Sequence, residues 1–292
     1  MRQAALVYNP MAGRRRAAER AHRLADIFAA RGWRVEPMET ILPGGGEQPA
    51  RRAAERGFDV VLALGGDGTL RECAAGILGT ETGVGFLPTG TTNVMCHTFG
   101  LPNRPFRAAA ALAGGGFARM DVGLCGDTPF LMQASVGIDA AVIAALNPTT
   151  KRWLGQGAVA TAAVRVLFGY RFPRFEIVID GKPREVSFAA ICNIPFYGGP
   201  WKMTAAELDD GRLHAALFTG RGRPSTLKFA LDFIRGKHGL RNDVEIVPVE
   251  EVELPAAPGA ELQMDGDAFP GGLPARVRMA EHKLRVLVPT LP

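Results

Sequence analysis

The fold is decided by the stretch Phe58-Asp59-Val60-Val61-Leu62-Ala63-Leu64-Gly65-Gly66-Asp67-Gly68-Thr69-Leu70-Arg71. The uninterrupted apolar run from Val60 to Leu64 predicts a strand that is buried on both faces, as in a parallel sheet. Three glycines around Asp67 follow this run before helix-forming sequence resumes. Glycines let the backbone approach a phosphate, the next helix offers unpaired N–H groups, and an aspartate can hold a divalent cation. The stretch therefore predicts a phosphate-binding turn, although a strand-to-helix turn that needs glycine only for its dihedrals fits the same residues.

Strands and helices alternate around this stretch. The patterns predict strands at 4–8, 33–39 and 83–87 and helices at 14–30, 48–56 and 104–113. Such alternation predicts a parallel sheet with helices on both faces.

Two further loops are predicted at the carboxyl edge of this sheet, where open α/β sheets bind their ligands. They are Asn9-Pro10-Met11-Ala12-Gly13 and Pro88-Thr89-Gly90-Thr91-Thr92-Asn93. The hydroxyls and free amides of the second loop suit phosphate or ribose oxygens. An ordinary polar turn also explains it.

The sequence changes character beyond Met120. Short strand patterns separated by turn signals predict an antiparallel sandwich, interrupted by helices at 139–145, 154–168 and 225–236. The predicted strands are 129–136, 174–180, 185–193, 212–219, 244–248, 261–264, 275–279 and 284–288. We therefore predict an α/β domain over residues 1–122 and a β-sandwich domain over residues 123–282.

Composition limits the classes of partner and compartment. The 292 residues include 34 Lys and Arg against 29 Asp and Glu, a net charge of +5 that mildly favours anionic partners or simply marks a solvated surface. Basic patches interleaved with stacking aromatics are missing from the sequence, so we expect no nucleic-acid partner. Four cysteines without close pairing or zinc-site spacing predict reduced, mostly buried thiols in the cytosol. We find no signal peptide and no run of about 20 apolar residues, so any membrane contact is expected to be peripheral.

Six motifs carry a resemblance to one family. They are Asn9-Pro10-Met11-Ala12-Gly13, Gly65-Gly66-Asp67-Gly68-Thr69, Gly90-Thr91-Thr92-Asn93, Ala134-Ser135-Val136-Gly137-Ile138-Asp139-Ala140, Leu208-Asp209-Asp210-Gly211 and Asp265-Gly266-Asp267. In this order they resemble the diacylglycerol kinase catalytic-domain family, which includes soluble bacterial lipid kinases and the sphingosine and ceramide kinases. The resemblance implies an amino-terminal nucleotide-binding domain and a carboxy-terminal lipid-substrate domain. It also implies that the last strand, within 283–292, returns to the first domain.

The resemblance also implies a set of site residues. The residues implied to bind ATP are Asn9, Thr40, Gly65, Gly66, Asp67, Gly68, Thr69 and Thr91. We expect Asp67 to fix the ATP-bound Mg²⁺, as its place among the glycines suggests. The resemblance implies that Asp210 holds Mg²⁺ with main-chain oxygens near Glu207 and Arg212. Asp267 is implied to be the catalytic base, with Asp265 as the second choice. The alternative for Asp267 is an ordinary hairpin turn, and the alternative for Asp210 is a turn before a strand.

This sequence departs from the family pattern at two positions. Asn93 is followed by Val94, where family members commonly have an aspartate. The acid that ends the Asp265-Gly266-Asp267 motif is Asp267, where the family has the longer glutamate. Both changes fit a different acceptor or a weakened active site.

The expected function is ATP-dependent transfer of the γ-phosphate to the hydroxyl of a diacylglycerol-like lipid. The alternatives are a kinase of a soluble acceptor such as NAD, which shares the glycine and aspartate loop, or a catalytically weak lipid- or nucleotide-binding protein. Basic and aromatic residues at Lys151-Arg152-Trp153-Leu154 and Tyr170-Arg171-Phe172 suit a lipid headgroup surface, and they also suit an exposed helix with one buried side. We expect a cytoplasmic protein that acts on its lipid peripherally at the inner membrane face. A homodimer through an edge strand of the sandwich is compatible with the sequence.

Overall fold

The computed structural model describes residues 1–11, 17–40, 45–146 and 156–290. The chain divides into two compact units, Met1–Met120 with Glu281–Pro292 (unit 1) and Asp121–Ala280 (unit 2). The basic and aromatic segment 151–154 lies outside the described residues, as do residues 12–16 and 41–44.

Strands outnumber helices among the described elements. In chain order they are β1 (Gln3–Tyr8), β2 (Arg34–Glu39), β3 (Val60–Gly65), β4 (Gly83–Pro88), β5 (Gly116–Met120), β6 (Gly123–Cys125), β7 (Thr128–Phe130), β8 (Gln133–Gly137), β9 (Phe175–Ile179), β10 (Lys182–Val186), β11 (Phe188–Cys192), β12 (Leu213–Phe218), β13 (Val244–Val249), β14 (Glu251–Leu254), β15 (Leu262–Met264), β16 (Asp267–Ala268), β17 (Ala275–Met279) and β18 (Leu284–Val288). The described helices are α1 (Ala17–Ala29), α2 (Glu47–Glu55), α3 (Asp67–Ile77), α4 (Val94–Thr98), α5 (Pro105–Ala113), α6 (Ile138–Ala144), α7 (Gln156–Gly169) and α8 (Gly222–Ile234), with a 3₁₀ turn at His238–Leu240.

Unit 1 is built on a sheet with the strand order β2-β1-β3-β4-β18-β5. Neighbouring strands from β2 through β18 run parallel, and β5 runs antiparallel to β18. The apolar runs of β3 and β4 are buried, as expected for strands that are covered on both faces. The predicted α/β domain with a parallel sheet is confirmed.

Helices α2 and α3 pack closely because of one glycine. A Cβ atom on Gly76 of α3 would lie 2.3 Å from the carbonyl oxygen of Glu47, at the start of α2. Only glycine permits this approach. The contact fixes α3, and therefore the turn that precedes it, against its neighbour.

Unit 2 contains two antiparallel sheets, ordered β10-β9-β14-β17-β6-β7 and β13-β12-β11-β8-β15-β16. Their facing side chains form one core, to which Phe130, Ile177 and Val277 contribute from the first sheet and Ile191 and Leu213 from the second. This is the predicted β-sandwich. Helix α8 covers the opposite face of the second sheet, where Phe229 stacks on Phe218 with ring centroids 4.6 Å apart.

The segment predicted as one strand at 185–193 is two strands, β10 and β11, which belong to different sheets. The chain changes sheet at Ser187, whose buried hydroxyl donates to the carbonyl oxygens of Phe218 and Gly220. A serine in an apolar run does not reveal this change of sheet to sequence reasoning.

The four cysteines are buried and unpaired, as predicted. Burial raises the pKa of the Cys125 thiol to about 11 and that of Cys96 to about 12, so both are protonated at neutral pH. Within the described ranges, no helix is long and apolar enough to cross a membrane.

Candidate functional site

The strand register of unit 1 brings the predicted nucleotide residues to one edge of the sheet. Tyr8 is paired with both Glu39 and Leu64, so Asn9, Thr40 and Gly65 follow at the ends of three neighbouring strands. Gly65 is in turn paired with Pro88 at the end of β4. The loops predicted to bind nucleotide therefore converge at the carboxyl edge.

Two of these loops touch through their backbones. The Thr89 amide donates to the Gly65 carbonyl oxygen at 2.7 Å. A Cβ atom on Gly90 would lie 3.0 Å from the Cα atom of Gly66. The two glycine-rich turns thus form one surface, from which side chains are absent at Gly66 and Gly90.

Helix α3 begins at this surface with an uncapped amino terminus. Gly66, at the N-cap position, is extended, and no described side chain caps the helix. A Cβ atom on Gly65 would lie 2.3 Å from the Thr69 hydroxyl oxygen, so that position also requires glycine. A bare helix amino terminus beside backbone free of side chains suits an anion such as a phosphate.

Asp67 ties the second loop to the first. Its carboxylate accepts hydrogen bonds from the Val94 amide at 2.9 Å and the Met95 amide at 3.1 Å, which start helix α4. Burial raises the pKa of Asp67, and these two amides oppose that shift. Sequence reasoning assigned Asp67 to a cation and did not predict that it caps α4.

Asn93 holds the second loop in shape. It adopts a left-handed backbone conformation with φ of 45°, and its side-chain amide donates to the Gly90 carbonyl at 2.8 Å and to Asn103 Oδ1 at 2.6 Å. Asparagine tolerates this conformation better than most residues do. The loop is therefore fixed by its own side chain.

Asn9 and Thr40 present polar groups of different kinds at the same edge. Asn9 Oδ1 accepts the Met11 amide at 2.8 Å, which closes a tight turn after β1. Thr40 is buried, and its hydroxyl oxygen has no hydrogen-bond partner among the described residues. A buried hydroxyl without a partner is costly unless a ligand or water satisfies it. Thr91 is exposed on the second loop.

In unit 2, Asp210 organises the turn before β12. Its carboxylate accepts the amides of Glu207 at 3.2 Å and Arg212 at 3.1 Å and lies 2.9 Å from His214 Nε2. Burial acts to raise the pKa of Asp210, but these hydrogen bonds and His214 outweigh it and lower the pKa. Glu207 and Arg212 thus contact Asp210 through backbone N–H groups.

Asp121 holds the same turn from the other side, and sequence reasoning did not single it out. Its buried carboxylate accepts the Gly211 amide at 2.6 Å, and its own amide donates to the Leu208 carbonyl. The position follows the last predicted helix of the first domain, and no motif signals its role. Within the described residues, no group of three or more His, Cys, Asp or Glu side chains is placed to hold a metal ion.

The Asp265-Gly266-Asp267 motif forms a two-residue hairpin between β15 and β16. Asp265 and Gly266 both have positive φ angles, 51° and 81°, as in a type I′ turn. The buried Asp265 carboxylate accepts the amides of Leu131, Met132 and Gln133 at 2.8 to 3.0 Å. Asp267 follows the turn and is exposed. Asp265 is therefore a structural anchor, and Asp267 is the more accessible carboxylate.

Gln263 links this hairpin to a partly buried polar cluster, which we call the Asp139 cluster: Ser135, Asp139, Tyr197 and Gln263. The Gln263 side-chain oxygen accepts the Gly266 amide at 2.8 Å, and its side-chain nitrogen donates to Ser135 and, at 3.2 Å, to Asp139. Tyr197 donates to the same Asp139 oxygen. Burial raises the pKa of Asp139, against hydrogen bonds from Ser135 and Tyr197. The sequence motif around Ser135 and Asp139 had no assigned role.

Comparisons with known proteins agree with this architecture. Residues 3–125 match the diacylglycerol kinase catalytic domain, and residues 132–288 match the YegS C-terminal NAD kinase beta sandwich-like domain. The chain belongs to the diacylglycerol kinase catalytic-domain family. The predicted family is therefore confirmed. Membership of this family also confirms the prediction that the protein is a kinase, that is, a phosphotransferase.

Relatives of this lipid-kinase family member match over most of their length. The diacylglycerol kinase of Bacillus subtilis strain 168 is 26% identical, with 99% of this chain and 97% of the relative covered. A protein of Chromohalobacter salexigens, named for its likeness to the lipid kinase YegS, is 30% identical, with 77% of this chain and 74% of the relative covered. A solved structure of a diacylglycerol kinase-like protein from Bacillus anthracis str. Sterne superposes with a TM-score of 0.82 at 19% identity. The superposition covers 99% of this chain and 95% of the other chain, and it supports the fold.

Proposed function

We propose that this protein is an ATP-dependent lipid kinase that transfers the γ-phosphoryl group of ATP to the hydroxyl of a diacylglycerol-like lipid. One observation carries the proposal: two glycine-rich loops meet beside the uncapped amino terminus of α3 in a chain of this family. The diacylglycerol kinase of Bacillus subtilis, which matches nearly the whole chain, supports this class of acceptor.

The residues at the carboxyl edge of unit 1 fit a nucleotide. Backbone amides of Gly65, Gly66 and Gly68 bind the phosphates, together with the hydroxyls of Thr69 and Thr91. Asn9 and Thr40 contact the nucleotide from the neighbouring strand ends. The buried Thr40 hydroxyl gains through this contact the hydrogen bond that it lacks.

Mg²⁺ that accompanies ATP would need only one or two carboxylates from the protein. Asp67 fits this role, because a carboxylate has about four acceptor sites and the Val94 and Met95 amides use two of them. Asp210 is a second candidate, with main-chain oxygens near Glu207 and Arg212. Its lowered pKa keeps it charged at neutral pH. Bound Mg²⁺ supplies charge neutralisation on the phosphates.

Asp267 acts as the general base. The lipid hydroxyl oxygen forms a bond to the γ-phosphorus, its proton passes to the Asp267 carboxylate, and the bond from the γ-phosphorus to the bridging oxygen breaks to release ADP. A positioned base typically contributes about 10²–10⁴-fold in rate. Asp267 is exposed and follows the turn that the hydrogen bonds of Asp265 hold in place, which is consistent with this role.

The test is incorporation of label from γ-labelled ATP into a panel of acceptors. Diacylglycerol, sphingosine and ceramide are supplied in detergent micelles, and NAD is supplied in buffer. We expect labelled phosphatidic acid and no labelled NADP. Labelled NADP without a labelled lipid would instead support a kinase of a soluble acceptor. The description of the domain matched by residues 132–288, which includes NAD kinase, is the reason to test this acceptor. Bound ATP without a labelled product would support the weak binding protein.

A further inference from the structure

Helix α8 of unit 2 carries apolar side chains on two faces. Phe229 and Phe233 point to the sheet, where they contact Phe218, Tyr197 and His238. Leu227, Leu231 and Ile234 recur at helical spacing on the other side of the helix. A helix whose apolar residues occupy both sides presents one apolar face to solvent.

This outward face continues onto neighbouring elements. Arg223, in the first turn of α8, donates to the carbonyl oxygens of Leu167 and Phe168 at the end of α7, so the two helices adjoin there. The exposed large apolar side chains of this surface, with their exposed fractions, are Val164 (59%), Phe168 (65%), Leu227 (48%), Leu231 (51%), Ile234 (55%) and Leu240 (83%). We call this set the α7–α8 face. Apolar side chains grouped in this way commonly mark an interaction site.

Positive charge borders the α7–α8 face. A cavity of about 590 Å³ beside Leu240 is lined by Lys228, Lys237 and Arg241 with Asp232 and Asp243. Arg241 forms ion pairs with both aspartates, at 2.9 and 2.7 Å. Lys228 and Lys237 form no ion pair with a described residue, so their charges are available to an anionic partner.

We infer that the α7–α8 face docks on an anionic lipid bilayer, with its apolar side chains in the headgroup boundary and Lys228 and Lys237 on lipid phosphates. Apolar residues bordered by lysines are the combination that binds such an interface. The inference deepens the proposed lipid kinase function by naming the surface that reaches the substrate. Binding of the protein to vesicles is measured without ATP, so this measurement does not depend on the kinase reaction.

The test is co-sedimentation of the full chain with vesicles of equal parts phosphatidylglycerol and phosphatidylcholine. We expect binding that weakens with salt and is much weaker on phosphatidylcholine alone. Lys228→Gln and Lys237→Gln should each lower the partition constant about fivefold. The double change Leu227→Ser and Leu231→Ser should lower it by more than about tenfold. The matched control is Lys182→Gln on exposed β10 of the same unit, which should bind as the wild type does.

Activity separates this inference from the proposed function. The α7–α8 face variants should phosphorylate a short-chain diacylglycerol in solution at the wild-type rate but lose activity on long-chain lipid in vesicles. The inference is wrong if the wild type ignores anionic vesicles, or if the leucine and lysine variants sediment as the wild type does. It is equally wrong if light scattering shows a dimer that the leucine changes disperse while vesicle binding stays unchanged. Vesicle binding without any lipid phosphorylation would contradict the proposed function but would still support docking through the α7–α8 face.

Discussion

At the scale of single residues, Gly90 controls how closely the two nucleotide loops approach. A Cβ atom there would lie 2.6 Å from Asn93 Oδ1 and 3.0 Å from the Gly66 Cα atom. Gly90→Ala should therefore destabilise the protein by about 1–3 kcal/mol, measured by urea unfolding, and weaken ATP binding.

Gly66→Ala is the matched control for steric crowding. Its Cβ atom would lie 3.7 Å from the Gly90 Cα atom, an ordinary contact, and the φ of Gly66 is −96°. We expect its unfolding free energy to stay within about 0.5 kcal/mol of the wild type. Equal stability of the two variants would contradict the close packing of these loops.

Asp139 gives stability a dependence on pH. Burial raises its pKa in the folded protein above the ordinary value of about 3.9. The folded state then binds more protons than the unfolded state, so the contribution of Asp139 to stability is present below the unfolded pKa and is lost as pH rises through the folded pKa. The free energy of unfolding of the wild type, minus that of Asp139→Asn, should fall as pH rises through this window. A difference that stays flat or rises would contradict the raised pKa.

At the scale of elements, Gln263 connects the Asp139 cluster to the hairpin that carries Asp267. Gln263→Ala leaves the Gly266 amide and the half-buried Asp139 without this partner, which should cost about 1–3 kcal/mol of stability. We also expect kcat to fall while the KM for ATP stays unchanged, because the nucleotide loops belong to unit 1. Gln48→Ala, at an exposed position of α2, is the control and should match the wild type in both measurements. A fall in stability without a change in kcat would limit Gln263 to a structural role.

The elements themselves were largely predictable from sequence. The apolar run of β3 and its glycines identify a buried strand and the turn that follows, because both signals are local. The division of 185–193 into β10 and β11 was not predictable, because it depends on hydrogen bonds from Ser187 to residues about thirty positions away.

The candidate site was likewise predictable from the sequence only where the signal is local. Sequence order alone brings Asn9, Thr40 and Gly65 to one sheet edge, since each follows a strand of a parallel sheet. The capping of α4 by Asp67 depends on a loop 27 residues away, and the amides that bind Asp265 come from residues more than 130 positions away. Such partners are set by tertiary packing and have no local signal.

At the scale of the whole molecule, the last strand completes the sheet of the first unit. β18 lies between β4 and β5 and pairs with both. A chain that ends at Ala280 would expose the edge of β4 and leave β5 without its partner. We expect this truncation to lose the cooperative unfolding transition of unit 1, measured by calorimetry. A chain that ends at Thr290 keeps β18 and should unfold as the full chain does, and cooperative unfolding of the shorter chain would show that β18 is dispensable.

The central claim is that this chain transfers phosphate to a lipid hydroxyl with Asp267 as the base. Its most direct test is the steady-state rate of phosphatidic acid formation by the wild type, Asp267→Asn and Asp267→Glu. We predict that Asp267→Asn lowers kcat about 10²–10⁴-fold with the KM for ATP unchanged, and that Asp267→Glu, which keeps the carboxylate, retains most of the activity. Turnover of Asp267→Asn within a few-fold of the wild type would contradict the claim.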